Sequence, residues 1–115
     1  MFDLEWTDEA EEIYLELEQQ ANTIEAQRKK KQKNKSSRQE GLFKQVRKTL
    51  KHLRENPRHP GLETHPYSSL EHPWDSSQKV FEAYAQNKTP AAYRVFWCYG
   101  PEKKEITIIS ISAHP

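Results

Sequence analysis

The sequence has one cysteine, no long apolar run and, over its first 26 residues, no lysine or arginine. Each absence excludes something. The lone Cys98 forms no internal disulfide, and its place in an apolar stretch predicts a buried, inert thiol. Without ~18 consecutive apolar residues there is no candidate membrane span. An acidic start, where a secretory leader would be basic and then apolar, predicts a cytoplasmic protein. Hydrophobic residues make up only 34% of the chain, so the core has to be lean. His52, His59, His65, His72 and His114 match no metal-ligand spacing, so neither metal nor cofactor is expected. There are no internal repeats.

What is present suits one domain spanning residues 1–115. Three Trp, five Tyr and four Phe can carry much of the burial, each covering roughly 150–250 Å². The net charge of +1 conceals a segregation. Residues 1–26 hold nine acidic side chains, whereas residues 27–54 hold twelve Lys or Arg and one acid, Glu40. A basic stretch beside an acidic one can bind an anionic partner, or the two can face each other.

Residues 2–6 alternate apolar and acidic, the pattern of a half-buried strand. Thr7 reads as a helix N-cap followed by Asp8 and Glu9, placed where the helix dipole favours negative charge. Ala10, Ile13, Tyr14, Leu17, Ala21 and Ile24 form a helical stripe. Residues 27–40 contain no large apolar side chain and read as a basic, solvated helix extension or linker. A second helix from about Gln39 to Arg54 has the stripe Leu42, Phe43, Val46, Leu50 and Leu53, and ends before Pro57. Residues 55–78 look irregular. Residues 79–85, 91–99 and 104–112 read as strands, the last two joined at Gly100–Lys103 as a hairpin. The expected fold is α+β, in the order β-α-α-β-β-β. Two N-terminal helices pack on one face of an antiparallel sheet, and the first strand adds at an edge or pairs with a distant strand.

Three segments carry a family resemblance. Leu53-Arg54-Glu55-Asn56-Pro57-Arg58-His59-Pro60-Gly61-Leu62 resembles the helix end and loop of the RelE/ParE superfamily of bacterial toxins. Ala92-Tyr93-Arg94-Val95-Phe96-Trp97 resembles that family's central strand, and residues 106–115 resemble its last strand and polar tail. Residues 27–40 depart from the pattern, being longer and more basic than the family's helix connection. The resemblance implies a toxin held inactive by a cognate antitoxin protein. RelE-like members are ribosome-dependent endoribonucleases that cut messenger RNA, so the ribosome and mRNA would be partners. ParE-like members instead act against DNA gyrase, and a degenerate member would only bind its antitoxin.

Metal-independent RNA cleavage needs a base, an acid and cations at the phosphate. Arg94 is the leading candidate because it interrupts an apolar strand. Its charge must face solvent, a partner or a counter-ion such as Glu82 on the neighbouring strand. Strand alternation puts Arg94, Phe96 and Cys98 on one face and Tyr93, Val95, Trp97 and Tyr99 on the other. The resemblance puts a proton-transfer residue at His114. His65 and Arg58 are further candidates to line the same cleft, and histidine titrates in the right range. Lys44, Arg47, Lys48, Lys51 and Arg54 on the second helix are candidates for RNA phosphates; an acidic antitoxin would suit them equally.

Overall fold

The computed structural model describes residues 1–33, 35–87 and 91–113. The chain forms β1 (Asp3–Trp6), α1 (Asp8–Lys30), α2 (Arg38–Glu55), a 3-10 turn (Pro60–Leu62), β2 (His65–Pro66), β3 (Phe81–Tyr84), β4 (Tyr93–Tyr99) and β5 (Glu105–Ala113). The expected α+β architecture is present, with one sheet backed by two helices. The sheet is mixed rather than wholly antiparallel. Its order is β1-β5-β4-β3-β2, and β1 runs parallel to β5. A parallel pair needs a long crossover, which here is most of the chain.

Thr7 starts α1 as expected. Its Oγ1 accepts from the Ala10 amide at 3.1 Å and donates to the Ile109 carbonyl at 2.7 Å. The same hydroxyl therefore caps the helix and ties it to the sheet. The buried stripes of both helices, from Ala10 to Ala21 and from Leu42 to Leu53, meet Ala83, Val95, Trp97, Ile106, Ile108 and Ile111 in the main core. The opposite sheet face carries a smaller cluster of Val80, Phe96, Cys98 and Ile109, with Tyr67 and Leu70 packed against it. Strand parity along β4 is thus as expected. Burial pushes the Cys98 thiol up to about 11, which suits an inert side chain.

β5 contains a bulge. Phe96 pairs with Ser110 and Trp97 with Ile108, leaving Ile109 as the extra residue. Ile106 and Ile108 before the bulge and Ile111 after it all face the helices, while Ile109 joins the other face.

Residues 27–33 and 35–40 form the two sides of a helical hairpin tip. At the end of α1, Gln32 takes φ +57°. The Lys33 amide then bonds the Arg28 carbonyl and the Gln32 amide bonds the Lys29 carbonyl, both at 3.0 Å. That is a Schellman motif. At the start of α2, Ser37 and Glu40 form a capping box. Arg28 closes the hairpin across these ends, with Nε and Nη2 2.9–3.1 Å from the Glu40 carboxylate.

Candidate functional site

The open face of the sheet, opposite the helices, gathers the unusual polar residues. Glu82 on β3 is 0% exposed, and a buried carboxylate is tolerated only when compensated. His65 is its partner in the β2–β3 register, with Nε2 2.7 Å from Oε1. Arg94 approaches the same oxygen, with Nε at 3.9 Å. The ion pair expected between Arg94 and Glu82 is therefore present at its outer limit, and His65 makes the closer contact.

Arg94 is 9% exposed. Its guanidinium carbon lies 3.7 Å from the centroid of the Tyr84 ring, within cation–π range. Nη1 donates to the carbonyls of Ala92 at 3.0 Å and Gln86 at 3.2 Å. Stacking and the two carbonyls hold the guanidinium in one plane.

His65 has both ring nitrogens engaged. Nδ1 lies 3.1 Å from the Glu63 carbonyl and Nε2 faces Glu82. Both partners are acceptors, and each ring nitrogen donates only where it carries the proton.

The other candidates lie elsewhere. Arg58 lines a cleft of about 600 Å³ with Phe81, Trp97 and Tyr99. Phe81 and Trp97 belong to the helix-side core, so the structure does not bring Arg58 to Arg94. Lys44, Arg47, Lys48, Lys51 and Arg54 rim a second cleft of about 660 Å³ whose apolar walls are Leu4, Trp6, Tyr14 and Leu50. That cleft is also on the helix side. His114 lies outside the described residues; Ala113, which precedes it, pairs with Tyr93. His59 stacks on His52 at 4.1 Å. His72 is buried, and its Nδ1 accepts from the amides of Trp74 and Asp75, a turn-forming role. Among the described residues no group of three or more His, Cys, Asp or Glu is placed to share a metal ion. Among them, too, no helix is long and apolar enough to cross a membrane.

The sequence signals Arg94, its partner Glu82 and His65 as a candidate for the same cleft. It does not signal the strand pairing that sets His65 against Glu82, because β2 has only two residues and lies in a proline-rich segment without periodicity.

No family model and no curated protein matches the sequence. Solved structures do match in fold. A YoeB/ParE toxin from Agrobacterium tumefaciens aligns over 98% of this chain and 99% of that one, at 9% identity and TM-score 0.60. The YoeB dimer from Staphylococcus aureus aligns over 99% and 98%, at 13% identity and TM-score 0.56. The intact E. coli RelBE toxin–antitoxin complex aligns over 100% and 99%, at 14% identity and TM-score 0.54. Along its whole length, therefore, this chain has the fold of the RelE/ParE toxin superfamily.

Proposed function

We propose that the chain is the toxin of a toxin–antitoxin system and that it cleaves messenger RNA on the ribosome through the open sheet face. The observation that carries this reading is the Arg94 guanidinium, held over the Tyr84 ring and braced by the Ala92 and Gln86 carbonyls beside His65 and Glu82. In cleavage, the 2′-oxygen bonds to phosphorus while the bond from phosphorus to the 5′-oxygen breaks. Negative charge builds on the non-bridging oxygens, where Arg94 stabilises it electrostatically. His65, 2.7 Å from the Glu82 carboxylate, is a candidate to move protons. His114 is proposed as a proton-moving residue, taking the 2′-hydroxyl proton or returning one to the 5′-oxygen.

An antitoxin is the proposed protein partner. An acidic, amphipathic segment matches the helix-side cleft in both its apolar walls and its rim of five cations. Bound there, it covers the cations that RNA phosphates would otherwise use.

A second reading is a ParE-like toxin that acts by binding a protein such as DNA gyrase. The burial of Arg94 and the engagement of its Nη1 favour it. Inducible expression with mapping of messenger RNA ends separates the two. Wild type is expected to arrest growth and create new ends within translated codons, and Arg94→Ala to abolish both. Growth arrest with intact messages, unchanged in Arg94→Ala, selects the second reading. No growth effect at all rejects both.

A further inference from the structure

The tip of the α1–α2 hairpin stands apart from the rest of the molecule. Among the described residues from 22 to 41, none is buried. The tip is nonetheless a built element, because a Schellman motif, a capping box and the Arg28–Glu40 clasp fix both of its ends. The clasp also neutralises Glu40, the single acid of residues 27–40. The Arg28 guanidinium and the Ser37 amide pull the Glu40 carboxyl down to about 2. Lys29 pairs with Glu25 at 2.7 Å. Lys30, Lys31, Lys33, Lys35 and Arg38 are exposed and have no ion-pair partner among the described residues.

Five like charges close together repel one another and create a field that a polyanion relieves. The tip differs from the helix-side cleft in one chemical respect: residues 27–40 contain no large apolar side chain. Protein interfaces depend on aromatic and apolar anchors and are depleted in lysine. Phosphate-backbone contacts need only accessible cations, and lysine serves as a point charge for them.

We propose that the hairpin tip is a contact for the phosphate backbone of structured RNA, formed by Lys30, Lys31, Lys33, Lys35 and Arg38. None of these five lines the helix-side cleft. α1 is 23 residues long, a rise of about 34 Å, in a molecule 51 Å along its longest axis. The tip thus engages RNA while the open sheet face stays free. The choice of RNA as partner rests on the reading above, whereas the geometry of the tip does not.

The test is binding of a fluorescently labelled RNA stem-loop to the full chain across a salt series. Wild type is compared with a quadruple Lys30→Gln, Lys31→Gln, Lys33→Gln, Lys35→Gln variant and with its Lys→Arg counterpart. Each cation withdrawn from a phosphate lowers the slope of log affinity against log salt by roughly 0.7–0.9, so the slope of the Gln variant is expected to fall by about 3. Its affinity at low salt is expected to fall at least about tenfold. The Arg variant keeps the wild-type slope, and all three melt alike. A wild type that does not bind, or a Gln variant with unchanged slope, overturns the proposal. So does a Gln variant that loses binding to polyglutamate while its RNA slope is intact, which would assign the tip to an acidic protein. Wild type that binds RNA through the tip yet produces no new messenger ends refutes nuclease action and leaves this proposal standing. Wild type that cuts messages with an unchanged slope in the Gln variant does the reverse.

Discussion

Glu82 is the residue on which the open face depends. A carboxylate with no exposure is stabilised by His65 at 2.7 Å and, more weakly, by Arg94 at 3.9 Å. Removing one partner of a buried charged cluster strands the others. Glu82→Ala is therefore expected to lower the unfolding free energy by about 3–5 kcal/mol in urea titrations; a change under about 1 kcal/mol would show the cluster to be incidental. His52 makes a different prediction. Burial first, then the stacked His59 and nearby Lys48 and Lys51, hold its imidazole below the ordinary range, while Glu55 opposes them. A folded-state value below the unfolded one means that the native state binds fewer protons. Stability is then full above the unfolded value of about 6.5 and is lost as pH falls through the folded value. The melting temperature is expected to drop as pH falls below about 6.5, and to drop less in His52→Gln; an equal drop in both would assign it to other groups. Arg94 is legible in the sequence because a charge interrupts an apolar alternation. The role of His72 is not, because accepting two amides at Nδ1 is a property of a turn with no repeat to announce it.

At the scale of elements, local signals differ in how far they carry. The cap at Thr7 is legible, and Thr7→Ala is expected to cost about 1 kcal/mol or somewhat more, since the hydroxyl also bonds Ile109. The tip at residues 27–40 reads as a solvated extension or linker because it has nothing to bury. Its order comes from hydrogen bonds instead, and the Ser37–Glu40 spacing is a capping-box signature. Gln32 there adopts a left-handed conformation that costs a residue with a Cβ about 1–2 kcal/mol. Gln32→Gly should slow hydrogen exchange at its own amide and at that of Lys33; faster exchange would contradict the Schellman assignment. The bulge in β5 is also written in the residues. Isoleucines at 106 and 108, then at 109 and 111, break a strict alternation, and the structure places the extra residue at Ile109.

At the scale of the molecule, the sheet divides the candidate residues into two sets. Arg94 and His65 share the open face with Glu82, whereas Arg58 and Lys44, Arg47, Lys48, Lys51 and Arg54 line clefts on the helix side. Composition and periodicity place each residue on its own element, but which elements meet depends on pairings between distant strands. The parallel β1–β5 pair joins opposite ends of the chain, Asp3 to Glu105 and Trp6 to Ile108, and no local pattern encodes it. The separation gives each face its own proposed function: chemistry on the open face, a protein partner on the helix side, and RNA backbone at the hairpin tip. The most direct test of the chemistry is single-turnover cleavage of a labelled message on programmed ribosomes by purified wild-type, Arg94→Lys and Arg94→Ala chains, each first shown to be folded. The account predicts cleavage by wild type, a loss of about 10²-fold or more in Arg94→Ala and partial activity in Arg94→Lys. Cleavage at an undiminished rate by folded Arg94→Ala, or none by wild type, would contradict it.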